Sequence, residues 1–428
     1  VVAVANTSRI GNSAIAVRSP VSITHHARTM TFQRPASRFV PHVLSASALA
    51  SLLALAACGG GGGGSSGTSV STFTSGPITG FGSIVVNGVH YDDSPSRVED
   101  EDAGGRDRSE LKLGMVVEID AGNLTTAAGK TTATADRIGF SSLVRGPIAS
   151  VNVGASRMVV LGQTVNVTPT TVYEDGLASG ISSAQLTPGA IVKVYGVLDA
   201  ASGSLTATRI ELEDSGSFYR VRGIVGNYDT TARTITIGTA VIDVSGVTVP
   251  GAVANGTLVR IKTQTTLNGS GQYVATQVRA GRGNPENIGY SEIEGTVTDY
   301  TSNAAFSVDG IVVNATSATF EDQASLALGA RVEVKGSIAS GVFVATKVEV
   351  KTEDEQEDEG FELEGRITSV DTAAQTFVLR GVTVSYAGSV TYERGNAAQL
   401  IATAKVEVDG ALASNGTTIN ATRIKFED

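Results

Sequence analysis

"RVEVKGSIASGVFVATKVEV", Arg331 to Val350, alternates valine with polar residues. Val332 and Val334, Val342 and Val344, then Val348 and Val350 fall in one phase, with Glu333, Lys335 and Lys347 between them. A period of two marks a strand with one buried face. Valine and threonine suit a pleated sheet, and Ser340-Gly341 supplies a tight hairpin turn. The stretch therefore predicts two antiparallel strands, and its relatives within the chain set the architecture.

Relatives occur along the chain, in a fixed order of three markers. The first is Gly-x-Ile/Val, at Gly76, Gly146, Gly223, Gly295 and Gly365. The second has glycine fourth and aliphatics alternating after it: "LKLGMVVEI" from Leu111, "LTPGAIVKV" from Leu186, "VANGTLVRI" from Val253 and "LALGARVEV" from Leu326. In "LIATAKVEV" from Leu400, Thr403 replaces that glycine. The third is Ala-x-x-Ile/Val, at Ala135, Ala207, Ala275, Ala345 and Ala421. Starts are 70, 77, 72 and 70 residues apart. Such periodicity points to a repeat architecture. It predicts an all-β tandem array of five small repeats: 76–142, 143–215, 216–284, 285–352 and, with an acidic link at its start, 353–428. They are called copies one to five below.

About 70 residues with short strands are too few for a sandwich. A small closed barrel removes the exposed edges of a short meander. An OB-like barrel is the first expectation and a two-layer β roll the second. Units of this size are marginal alone, so neighbours should pack together, and a rod or arc is expected. "NAAQLIATA" from Asn396 has room for one or two helical turns. The markers resemble domain of unknown function 5666, a bacterial envelope family often found as multi-copy lipoproteins; the resemblance covers roughly residues 76–428. It implies a fold and a location, and no activity.

Ahead of the repeats, Arg34 and Arg38 precede an uncharged run, Val43 to Ala57, that ends at Cys58, the one cysteine. The run has the length of a signal-peptide core and is too short for a bilayer span. Leu55-Ala56-Ala57-Cys58 resembles the lipobox of bacterial lipoproteins. That resemblance implies cleavage before Cys58 and acylation of its sulfur and new amino terminus. Residues 1–57 read as an over-long start followed by the signal peptide, with translation beginning at Met30. Residues 58–75, "CGGGGGGSSGTSVSTFTS", read as a flexible tether. Gly59 after the cysteine resembles lipoproteins sent to the outer membrane, facing the periplasm or the cell surface.

The whole chain carries 32 basic and 42 acidic residues. Removing residues 1–57, with five arginines and no lysine or acid, leaves 27 against 42, a formal charge of −15. That balance repels phosphate backbones, so nucleic acid is not an expected partner. The membrane, through acyl chains, is one; an envelope protein or a polysaccharide is another. His25, His26 and His42 leave with the leader, so only His90 remains, read here as a strand-end surface residue. One histidine and one acylated cysteine give no His/Cys zinc site and no evident Ser-His-Asp triad. "AAGKTT" (Ala127–Thr132) has Leu124 where a phosphate loop needs glycine, and reads as a hairpin tip. Two acidic runs, "VEDEDAGGRDRSE" from Val98 and "EDEQEDEG" from Glu353, read as solvated segments or weak calcium sites. No catalytic, metal or cofactor residue is assigned. The expectation is a lipid-anchored, non-catalytic envelope protein. Its alternatives are an oligosaccharide- or small-ligand-binding array, which would need Tyr173, Tyr195, Phe218, Tyr219, Tyr228 or Tyr300 gathered on one face, and an enzyme with an Asp/Glu-based site.

Overall fold

In copy two the chain makes five strands, Val144–Asn152, Arg157–Val160, Gln163–Tyr173, Ile191–Asp199 and Ser204–Glu213. The first pairs antiparallel with the second, the second with the third, the fifth with the fourth, and the fourth with the first. The third and fifth run parallel and close the ring. This is an OB-like Greek-key barrel. Short 3-10 turns, Asp175–Leu177 and Gly180–Ser182, connect the third strand to the fourth. The computed structural model describes residues 72–177, 179–281, 288–321, 325–351 and 360–427. Cys58, its leader, nearly all of the tether and the acidic run from Glu353 lie outside them.

The same ring order is closed by the strands of residues 219–280, 288–350 and 361–427. Residues 72–140 repeat it with the first strand broken into Thr72–Pro77 and Gly80–Phe81 and the third into Val89–Asp92 and Arg97–Asp100. Ala128-Gly129 is the turn between Thr125–Ala127 and the strand Lys130–Phe140, so "AAGKTT" is a hairpin tip. Near Asn396 a single 3-10 turn forms, Ala397–Gln399, with Asn396 and Gln399 making a capping box.

The three sequence markers have distinct physical jobs. The fourth-position residue of the second marker donates its N–H to the aliphatic residue of the first: Gly114 to Ile78, Gly189 to Ile148, Gly256 to Val225, Gly329 to Val297 and Thr403 to Ile367, all at 2.8–2.9 Å. That aliphatic N–H donates back to the carbonyl of the next residue, as from Val297 to Ala330 and from Ile367 to Ala404, both at 2.9 Å. This two-bond clamp needs positive φ, and the five residues have φ of 78, 92, 84, 87 and 77°. Glycine is the residue that adopts this freely. Thr403 holds the same turn in spite of its Cβ. The first-marker glycine makes room instead: a Cβ on Gly223 would sit 2.5 Å from Ile237 Cγ2.

The third marker is a β-bulge. Ala207 faces Gly196 while Arg209 faces Tyr195, so Thr208 is the extra residue. Thr276, Thr346, Thr422 and Asp136 are skipped in the same way. The Thr346 and Thr422 hydroxyls donate to the carbonyls of Lys335 and Asp409 at 3.0 and 3.1 Å. A bulge bends the strand and raises its twist, which a ring of this size requires. The alanines are 0–5 % exposed and point into the cores.

A rod or arc does not form. The described residues belong to one compact unit, Ser66–Asp428, in which copy one contacts each of the others. Thr72–Ser75 pair parallel with Tyr290–Ile293 of copy four, and Gly80 and Phe81 with Glu362 and Leu363 of copy five. Thr208 and Arg209 of copy two donate to the carbonyls of Gly114 and Leu113 at 2.6 and 3.2 Å. Copy three meets the acidic run that begins at Val98, an insert in copy one. The cores merge accordingly: copies one and five share a cluster that takes in Tyr195 of copy two, copies two and three share another, and Phe73 of copy one enters that of copy four. Burying these faces adds apolar area that units this small lack alone.

Candidate functional site

Alternation along the first and fourth strands puts a second row of side chains on the outside of each barrel. In copy three the inner row includes Val221, Val259 and Ile261, and the outer row is Arg220, Arg222, Arg260 and Lys262. Arg220 lies opposite Lys262 and Arg222 opposite Arg260. Like charges facing each other across strands repel, so this face calls for counter-charge. Copy one supplies it. Asp102, its side chain 1 % exposed, contacts Arg220 and lies 2.9 Å from Lys262 Nζ and 3.5 Å from Arg260. Glu101 contacts Arg260 and lies 2.9 Å from Arg222. Phe218 forms the underside, its ring centre 4.4 Å from the Arg145 guanidinium and 4.6 Å from Lys262 Nζ, a cation–π arrangement. Burial pulls the Arg220 pKa down, and Asp102 and Asp100 act against it.

The first acidic run is therefore solvated only in part: residues 103–110 are exposed, but the tip is docked on copy three. Arg97–Asp100 pairs with Gly104–Arg106 as a short hairpin, Asp107 caps the turn Arg108–Glu110, and the tip carboxylates are aimed at guanidinium and ammonium groups. A cleft of about 360 Å3 lies beside them, lined by Glu99, Glu101, Glu118, Arg137, Phe140 and Arg222 among others.

The equivalent outer row in copy four is Glu292, Glu294, Glu333 and Lys335, and in copy five Glu362, Glu364, Glu407 and Asp409. Each again faces copy one or is neutralised across the sheet. Tyr290 donates to Glu292 at 2.9 Å, and Lys335 Nζ stands 3.3 Å from Glu292 and 2.6 Å from Glu333. Burial, with the neighbouring Glu333 acting the same way, raises the Glu292 pKa to about 7. At Glu333 burial acts upward, but hydrogen bonds from Lys335 and Lys351 outweigh it and hold the carboxyl low. In copy five Arg423 and Lys425 cover Glu407 at 2.5 and 2.8 Å, and Glu362 reaches Lys130 of copy one at 3.2 Å.

His90 is not a strand-end surface residue. It is 8 % exposed, with Nε2 3.4 Å from Glu362 and Nδ1 3.3 Å from Ser83 Oγ. It is buried because copy five covers this side of copy one. Burial lowers its pKa, and Glu362 acts against that. Tyr173, Tyr195 and Tyr219 are buried in the cores rather than gathered on an open face. Cys58, the assigned lipid-attachment residue, lies outside the described residues. The outer charged rows escaped the sequence reading, although their signal was present: they occupy the same phase before the first-marker glycine and after the second-marker glycine.

Residues 145–211, 294–349 and 364–425 match a family described as Domain of unknown function (DUF5666). Copies two, four and five thus resemble that family's domain. Each match begins one residue before a first-marker glycine and ends four residues after a third-marker alanine. The DUF5666 span thus contains the clamp, the bulge and the closed ring. Glu292 and Glu362, which face copy one, lie just before their DUF5666 spans. No curated protein matches the chain.

Proposed function

We propose that the chain is a lipid-anchored, non-catalytic protein of the cell envelope, held at the outer membrane through Cys58, in which DUF5666 barrels gather round copy one to present one binding or structural surface. The observation that carries the non-catalytic part is the use of the charged rows. Asp102, the most buried carboxylate of the insert, engages three cations of copy three and so serves to join copies. The anchor rests on Leu55-Ala56-Ala57-Cys58 ahead of a glycine run. Several acyl chains at ~0.8 kcal/mol per buried methylene hold a protein firmly. Burial of Tyr173 and Tyr195 removes two aromatics that oligosaccharide binding would use. An envelope protein or polysaccharide is the expected partner.

Mass spectrometry of the mature amino terminus tests the anchor. An acylated Cys58 is expected, and Cys58→Ser should leave a soluble, uncut or mis-cut form. An unmodified thiol on the mature protein would dispose of the anchor. Cross-linking in intact envelopes, followed by identification of what is joined to the repeats, tests the binding role. Failure to capture any envelope component would count against it.

A further inference from the structure

The seam between copies one and four holds a carboxyl group where a neutral side chain would be expected. Glu292 is 1 % exposed and lies in the parallel pairing with Thr74. The groups that face it are few. From its own strand come Tyr290, which donates to it, and Glu294, which is held by Arg331. From the fourth strand of copy four come Glu333 and Lys335. From copy one comes the phenol of Tyr91, which Glu292 influences through space. Lys335 is shared by both carboxylates, and the next ammonium, Lys351, lies 2.8 Å from Glu333. Glu333 thus has two cations, and the more deeply buried Glu292 has part of one.

We propose that this seam is proton-operated: with Glu292 protonated copies one and four stay closed, and ionisation of Glu292 loosens their strand pairing. When the seam opens, water reaches Glu292 and its carboxyl returns toward its ordinary value near 4.5. The closed form holds the proton more strongly than the open form. Closing is therefore most favoured below the ordinary value, weakens as pH rises through the interval up to about 7, and is flat above it. The opening constant can grow up to about ten-fold per pH unit inside that interval. The other groups act outside it. Glu333 is held low and Lys335 and Lys351 are held high, while burial raises Tyr91 and Tyr290 further from neutrality. His90 belongs to the seam with copy five and has the opposite sense, since acid charges it.

Hydrogen exchange on the full chain between pH 5 and 8, corrected for intrinsic rates, tests this. Protection of Thr72–Pro77 and of residues 288–293 should fall at least ten-fold from pH 5 to 7, then level, while the strand Leu258–Leu267 of copy three stays constant. In Glu292→Gln the fall should vanish. A flat wild-type profile, or an unchanged slope in Glu292→Gln, overturns the proposal. Should that variant fail to fold, carbon NMR of the Glu292 carboxyl in the wild-type chain decides it: a midpoint near neutrality is expected, and an ordinary one refutes the seam.

Discussion

Thr403→Gly should stabilise the protein, although it removes a side chain from the end of a sheet. The clamp places Thr403 at φ 77°, where the equivalent residues are glycine. A β-branched residue is an outlier there, and left-handed backbone costs an L-residue about 1–2 kcal/mol. Thr403 is exposed, so little packing is lost. Both clamp bonds are made by backbone, from Thr403 N to Ile367 O and from Ile367 N to Ala404 O, and survive the change. Against the relief stands the extra chain entropy of glycine, about 0.5–1 kcal/mol. The mid-range difference is a net gain of ~0.75 kcal/mol, or roughly three- to four-fold in an opening equilibrium. Hydrogen exchange of Lys405–Leu412 is the local readout, because global unfolding of linked barrels need not be two-state. The reverse change belongs at Gly256, since a Cβ there meets nothing within 4 Å; Gly256→Thr should cost a similar amount. Gly329→Thr should cost more, because its Cβ would come within 2.5 Å of Asp199 of copy two. Lowered protection in Thr403→Gly, or a neutral Gly256→Thr, would refute the reasoning.

Asp102→Ala should destabilise the chain by about 3–5 kcal/mol, the usual cost of leaving buried charges without their partner. Thermal unfolding should show the loss at both low and high salt, and a loss that disappears in high salt would mean the cluster is exposed. Ala345→Leu should cost about 1–3 kcal/mol by overpacking the wall opposite the bulge, and exchange at Arg331–Ala339 should report it first. At His90 the folded state favours the neutral ring, so the stability it contributes is full above 6.5 and declines as pH falls through that value toward the lowered one. Imidazole NMR should give a midpoint below 6.5; one above it would show that Glu362 prevails over burial.

The repeat unit was legible because its determinants are local. Gly329 must turn, Ala345 must be small opposite a bulge, and Val332 and Val334 must face inward, and each requirement leaves a residue at a fixed offset. Thr403 shows the limit of that kind of reading. The sequence marks it as a departure, yet backbone hydrogen bonds impose the same φ and the turn persists. The lipid anchor has no counterpart in the described residues and stays with the sequence.

The arrangement of the copies was not legible, and the reason is chemical. A charged residue at an outer strand position reads the same whether water or another barrel faces it. Arg220, Arg222, Arg260 and Lys262 look like an ordinary solvated face, and "EDEDAGG" looks like a solvated loop. Only when both are placed does each explain the other: four cations without cross-strand relief, and a hairpin tip whose Asp102 side chain is buried. Rows of unlike sign at equivalent positions also argue against one generic docking rule. Copy three presents four cations where copy four presents three acids and Lys335 and copy five presents four acids. The acidic run of copy one would therefore be repelled by the copy-five row and by the three glutamates of copy four, and in this structure it meets the four cations of copy three. Specificity between near-identical barrels can come from such repulsion as much as from attraction, which lets a chain of similar repeats choose one arrangement over a rod of sequence neighbours.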